Sequence, residues 1–194
     1  VNDDLKKQRI DLWIDHIEDN PGCYIFCYKG GLRSKIAHDW LKKENIAVER
    51  LQGGYKEFRS YIISQHSGSK NYIKSWTVIG GLTGSGKTML LKEFDESIDL
   101  EKIANHRGSA FGKNTSEQPS QANFENIITN NYLNHIPPKI YIEDESRTIG
   151  RVTLPESWYE KMQSSDLIVL EIDNEERVHN IFKEYVVEAI NYFT

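Results

Sequence analysis

Trp76-Thr77-Val78-Ile79-Gly80-Gly81-Leu82-Thr83-Gly84-Ser85-Gly86-Lys87-Thr88 is the stretch on which the fold class turns. Residues 76–79 are an aromatic and β-branched run closed by glycine, the composition of a buried strand. Gly81 to Thr88 match G-x-x-x-x-G-K-[ST], and helix-forming residues follow to about Phe94. Strand, glycine-rich loop and helix in that order are the context this motif requires. The glycines let backbone N–H groups turn inward around phosphate oxygens, and the helix N-terminus adds partial positive charge. Lys87 has the reach for terminal phosphates, and the Thr88 hydroxyl can ligate Mg²⁺. Gly81, Gly84, Ser85, Gly86, Lys87 and Thr88 are therefore the expected phosphate-binding set. The competing reading is a glycine-rich turn without a ligand.

Downstream, residues 104–121 are rich in Gly, Ser, Asn and Gln and read as a long loop. A helix is expected at 120–133, ending at Pro137-Pro138, then a strand at 140–142 that runs into Glu143-Asp144-Glu145. A carboxylate at such a strand end commonly supports Mg²⁺ in P-loop proteins. Asp144 is the expected member, with Glu145 beside it; the alternative is a solvated charge run. A helix at 155–162, a strand at 167–170 and a helix at 175–192 complete this half. His106, Arg107, Arg147 and Arg151 are suited to charge-assisted contacts with a substrate or RNA phosphate, or are ordinary surface cations.

Upstream, Ile10, Trp13, Ile14 and Ile17 define the apolar face of a helix over 5–19, which Asn20-Pro21-Gly22 stops. A strand at 23–27, a two-glycine loop, a helix at 35–44 capped by Ser34, a strand at 47–51 and a helix at 55–64 follow. Strands alternate with helices throughout, so the class is α/β with parallel sheets. The polar run His66-Ser67-Gly68-Ser69-Lys70-Asn71 divides the pattern. The expected organisation is a first domain at 1–66, a linker at 67–74 and a P-loop domain at 75–194.

Cys27 and Arg33 form a C-x5-R loop. A cysteine at a strand end, before converging N–H groups and a helix N-terminus, is set up as a thiolate nucleophile; the competing reading is an ordinary buried strand cysteine. Arg33 can bind an oxyanion there, or stabilise a persulfide or selenide carried on the sulfur. The spacing serves rhodanese-type sulfur transfer and phosphotyrosine-type hydrolysis alike, although no general-acid aspartate for the latter can be placed. Cys23 reads as structural. Four strand residues separate the two sulfurs' residues by roughly 13 Å, beyond the limit of about 7 Å for a disulfide. No further Cys/His pair suggests zinc.

With 38% hydrophobic and 27% charged residues, the composition is that of a folded globular chain. The net charge of −5 argues against a general nucleic-acid coat. No apolar run has membrane-spanning length, the first residues do not read as a signal peptide, and a cytoplasmic location is expected.

Cys27-Tyr28-Lys29-Gly30-Gly31-Leu32-Arg33-Ser34, then Leu51-Gln52-Gly53-Gly54-Tyr55-Lys56, resembles the second half of a rhodanese domain. The P-loop follows, then Ala104-Asn105-His106-Arg107-Gly108-Ser109-Ala110-Phe111-Gly112, Gln118-Pro119-Ser120-Gln121, and Ile142-Glu143-Asp144-Glu145-Ser146-Arg147-Thr148-Ile149-Gly150. This ordered set is similar to the tRNA 2-selenouridine synthases and covers nearly the whole chain. The resemblance implies a partial rhodanese-like parallel sheet followed by a P-loop α/β domain, both shorter than in the family. It implies replacement of sulfur by selenium in 2-thiouridine at the tRNA wobble position, with selenophosphate as donor. It further implies an S-geranyl intermediate made from geranyl diphosphate, with Cys27 as the catalytic thiol and the P-loop holding the diphosphate. A role for ATP is left open. Lys29 stands where the family usually has Arg, which keeps the charge and loses the bidentate fork. The alternatives are a P-loop ATPase or kinase with a degenerate rhodanese appendage, and a non-catalytic fragment.

Overall fold

The computed structural model describes residues 3–66, 72–107, 114, 116–134 and 138–187. Two units emerge, Val1–Ser64 and Gln65–Thr194. In the first, α1 (Asp3–Asp19) leads to β1 (Tyr24–Ile25), α2 (Leu32–Lys43), β2 (Glu49–Arg50) and α3 (Gly54–Gln65). β1 and β2 pair in parallel, Tyr24 opposite Glu49 and Ile25 opposite Arg50. The ladder is shorter than the expected strands at 23–27 and 47–51, and among the described residues the two strands pair with each other alone. Ile10 of α1, Ala37 and Leu41 of α2 and Ile62 of α3 are buried. Trp13 stacks on Trp40, ring centroids 6.4 Å apart. Ser34 does not cap α2 as expected. Gly31 occupies the cap position without a side-chain bond, and Ser34 lies inside the first turn, its hydroxyl donating to the Gly31 carbonyl at 3.1 Å.

The second unit is built on β3 (Ser75–Gly81), whose residues Trp76 to Gly80 are all buried. A strand buried on both faces reads as a continuous apolar run, as central strands of parallel sheets do. After it come α4 (Lys87–Leu91), β4 (Ser97–Ile98), α5 (Leu100–Ala104), α6 (Gln121–Asn134), β5 (Lys139–Glu143), the hairpin β6 (Thr148–Ile149) and β7 (Val152–Thr153), α7 (Glu156–Gln163), β8 (Asp166–Leu170) and α8 (Asn174–Phe182). A π-helical turn, Lys183–Val187, continues α8. The sheet is fully parallel in the order β4-β5-β3-β8. Ile79 faces Glu143 across the β3–β5 ladder, so the last residue of β5 stands beside the start of the glycine loop. Tyr72, Trp76, Tyr132 and Trp158 form an aromatic knot with centroids 5.0 to 6.0 Å apart. At its edge the Tyr72 hydroxyl bonds to that of Ser157 at 2.8 Å. β8 is an outer strand with Leu167, Ile168 and Val169 half exposed.

Several expected bounds move. The helix after the loop ends at Leu91 instead of near 94, and the short β4 and α5 were not anticipated. β5 reaches Glu143, one residue past the expected strand, and the final helix gives way to the π-turn after Phe182. Residues 67–71 of the expected linker, 108–113 and 115 of the glycine- and serine-rich loop, Pro137, and 188–192 of the expected final helix lie outside the described residues. The Gln118-Pro119-Ser120-Gln121 stretch is a structural stitch. Gln121 binds both polar groups of the Thr153 backbone, at 2.7 and 2.9 Å. Gln118 donates to the carbonyls of Ala104 and Ile149 and accepts from the Arg151 N–H. No helix among the described residues is long and apolar enough to cross a membrane.

Candidate functional site

β3 delivers the glycine loop at its C-terminal end. Gly81 closes the strand and Gly86, left-handed at φ 88°, opens α4. The Lys87 ammonium donates to the Gly81 carbonyl at 2.8 Å, folded back across its own loop. Ser85 is buried, and its hydroxyl has no hydrogen-bond partner. The loop is held from outside by α8: Arg177 Nε donates to the Thr83 carbonyl at 3.3 Å and Asn180 Nδ2 to the Gly84 carbonyl at 2.9 Å. Gly84 has φ 80°, and a Cβ there would meet the Arg177 carbonyl and Ile181 at 2.7 Å. Only glycine meets both conditions. Sequence reading did not anticipate this contact, which joins residues almost a hundred positions apart.

The Thr88 hydroxyl reaches Glu143 Oε1 at 3.4 Å. Sequence reasoning favoured Asp144, but the geometry selects its neighbour. β5 extends to Glu143, which places that side chain inward, whereas Asp144 is exposed and lies over Gly80. Glu101 of α5 and Glu145 converge on Glu143, their carboxylate oxygens within 4.8 Å of one another. At an effective dielectric of ~20, each pair of full charges at that separation repels by roughly 3 kcal/mol. Burial foremost, then the charges of Glu145 and Asp99, pushes the Glu143 carboxyl up to about 8, with Lys87 opposing. Burial also raises Glu145, against a hydrogen bond with Glu101. These three carboxylates and the Thr88 hydroxyl are the groups suited to a cation. Glu101 gave no sequence signal, because it sits in a five-residue helix far from the acidic run.

The other expected phosphate contacts are distributed differently. The His106 N–H donates to the Glu101 carbonyl at 3.0 Å, and its ring Nδ1 is buried without a partner. Arg107 follows, half buried. Arg147 is engaged in an ion pair with Glu156, on the hairpin side.

In the first unit, Cys27 Sγ lies 3.3 Å from the hydroxyl of Ser34, which is 2% exposed. Hydrogen bonds from the Ser34 side chain and N–H, with further N–H donors from Gly31 and Lys29, bring the thiol down to about 7 against the opposing effect of burial. This is an anion cradle built from the loop and the first turn of α2. The cradle is braced by the second glycine turn. Gly54, at φ 65°, touches the Cys27 carbonyl and the Gly30 N–H so closely that no Cβ fits. The Tyr55 N–H also donates to the Cys27 carbonyl, at 3.2 Å. A cavity of about 390 Å³ opens beside the thiol, walled by apolar groups including Trp13, Ile17 and Phe26, and lined also by Cys23 and Arg33. Lys29 is exposed, and both cysteines are free thiols.

A family model described as the tRNA 2-selenouridine synthase AAA domain matches residues 74–194. The chain belongs to this family. Curated tRNA 2-selenouridine synthases resemble it over nearly its whole length. The one from Shewanella denitrificans is 43% identical over 196 residues, covering 100% of this chain and 53% of its own length. Those from Shewanella sp. strain MR-7 and Shewanella frigidimarina are 44% and 40% identical, covering 94% and 98% of this chain. The chain spans about half the length of these relatives. No solved structure matches it.

The P-loop, the three carboxylates, His106, Arg107 and Arg147 all fall in the segment matched by the selenouridine synthase AAA-domain model. Cys27 and its cradle precede that segment, but lie within the alignment to the Shewanella denitrificans synthase, which takes in the whole chain. The sequence thus presents two chemically distinct candidate places. One suits a polyanion beside a cation, the other a thiolate beside an apolar cavity.

Proposed function

We propose that the chain carries the diphosphate site and the selenium-handling thiol of a tRNA 2-selenouridine synthase. Its substrate is 2-thiouridine at the wobble position of tRNA. The observation that supports this best is a cradled, low-pKa Cys27 in the same chain as the family's AAA domain. The chemistry needs both. The thiocarbonyl sulfur is a poor leaving group. Attack by that sulfur on C1 of geranyl diphosphate forms the C–S bond, breaks the C–O bond and releases diphosphate, with loss of the base N–H proton. Gly81, Gly84, Ser85, Gly86, Lys87 and Thr88 hold the diphosphate, since such a loop reads phosphates whatever they are attached to. Thr88 with the neighbouring acidic residues is the place for Mg²⁺. Selenide supplied by selenophosphate, with water taking up the phosphoryl group, then adds at the base carbon and expels geranylthiolate. Cys27 and Arg33 serve this second step, with Lys29 on the same loop as an accessory cation. His106 and Arg107 are assigned to substrate or RNA phosphate, and Arg147 to the same role only after release from Glu156.

Titration with geranyl diphosphate and, separately, with Mg-ATP tests the first step. Geranyl diphosphate is expected to bind, and Lys87→Ala to weaken it by about tenfold or more, the loss of a charge-assisted contact. Preference for Mg-ATP, with turnover independent of tRNA, would favour the ATPase or kinase reading instead. With thiolated tRNA, Cys27→Ser should stop at the S-geranyl nucleoside, while Lys87→Ala should form neither product. Unchanged nucleosides in both variants would remove these assignments.

A further inference from the structure

We propose that Glu101, Glu143 and Glu145 form a site for a hard divalent cation, which binds there before any phosphate ligand arrives. The inference rests on the phosphate reading of the neighbouring loop only for what the cation serves, not for whether it binds. Each residue contributes a carboxylate oxygen, and the three lie within 4.8 Å of one another. Two ligands of one cation bonded at about 2.0–2.6 Å lie at most about 4.0–5.2 Å apart, so a single hard divalent ion can be reached by all three. An independent observation points to the same ligand. Glu143 is 1% exposed, and its Oε2 has no hydrogen-bond partner. Buried polar atoms are nearly always satisfied, and a cation held by the Glu143 carboxylate would supply the partner that Oε2 lacks. An all-oxygen donor set selects hard ions.

The arrangement differs from the usual P-loop one, in which the ion is held by the loop hydroxyl, a strand-end carboxylate and the phosphates themselves. Here α5 adds a carboxylate from a different element, so the protein supplies charge that phosphate otherwise brings. Lys87 does not occupy the position, since its ammonium donates to the Gly81 carbonyl. Thr88 Oγ1, 3.4 Å from Glu143 Oε1, ties the site to the loop. A cation bound there would sit ready for an arriving diphosphate.

The test is a Mn²⁺ titration of the full chain in phosphate-free buffer, read by electron paramagnetic resonance. One bound Mn²⁺ per chain is expected, displaced by Mg²⁺ and Ca²⁺. Glu101→Gln should weaken it by about tenfold or more, in line with the loss of a metal-site residue, and Glu145→Gln should behave alike. Asp144→Asn should leave it unchanged. Thermal unfolding separates binding from folding. Both glutamine variants should melt no lower than the parent without cation, because repulsion is relieved, and should lose the rise that the cation produces. Absence of binding at millimolar Mn²⁺, several weak sites indifferent to these changes, or dependence on Asp144 in place of Glu101 would overturn the proposal. Mn²⁺ binding without geranyl diphosphate binding would sink the phosphate reading alone, and the reverse result would sink this one alone.

Discussion

Ser34 has one hydroxyl hydrogen and two acceptors within reach, the Gly31 carbonyl and the Cys27 sulfur. While Cys27 is a thiol it donates to Ser34, and Ser34 donates to Gly31. Once Cys27 ionises, Ser34 can turn its hydrogen onto the sulfur. The sign of the pH effect follows. The thiolate fraction, and with it the alkylation rate, should rise with pH to a midpoint of about 7 and level off above it. Ser34→Ala should move that midpoint toward the ordinary thiol value of about 8.5, as read by iodoacetamide kinetics from pH 5 to 9. A midpoint that does not move would assign the shift to the backbone N–H groups alone. At this scale the C-x5-R spacing marked Cys27 and the loop around it, but not the serine's role. Nor did the sequence show which carboxylate of the acidic run faces Thr88, because in Ile142-Glu143-Asp144-Glu145 nothing marks where the strand stops. The β3–β5 register decides that Glu143 still belongs to the sheet.

Among elements, the turn at Gly53-Gly54 shows how one loop fixes another. Gly54 packs backbone to backbone against the Cys27 loop, so Gly54→Ala combines a left-handed residue with a clash. Unfolding free energy should fall by roughly 2 kcal/mol, and the alkylation midpoint should rise together with it. Retention of the midpoint at about 7 in that variant would show that the cradle does not depend on this brace. The strand–loop–helix run at β3 and α4 was legible because motif, period and glycine placement agree. β4 and α5 were not, since elements of two and five residues carry no readable period. Gln118 and Gln121 looked like part of a polar loop, although their side chains fasten that segment to the β6–β7 hairpin. Side-chain bonds to distant backbone leave no local pattern in a sequence.

For the whole molecule, the main core is confined to residues of the second unit, from Tyr72 to Met162. Trp158 is 1% exposed and contacts Tyr72, Trp76 and Tyr132. Trp158→Ala should cost about 3–5 kcal/mol in the unfolding of that unit, measured by denaturant titration. It should leave the alkylation midpoint of Cys27 in place, because no described residue of the first unit belongs to this core. A shifted midpoint would mean that the cradle draws on the second unit. The α/β class with parallel sheets was readable from the alternation of strands and helices. The order of the sheet was not, because it depends on which strands meet in space.

The folded-back position of Lys87 has a thermodynamic consequence. A free lysine side chain carries about 2 kcal/mol of rotamer entropy, and ordering it normally opposes binding. Here the Gly81 carbonyl already holds the ammonium at 2.8 Å. A phosphate that takes over the ammonium exchanges one ordered partner for another, so the side chain loses little further freedom. Under the proposed phosphate reading, this lysine's contribution is accordingly an enthalpic exchange of a neutral acceptor for an anionic one.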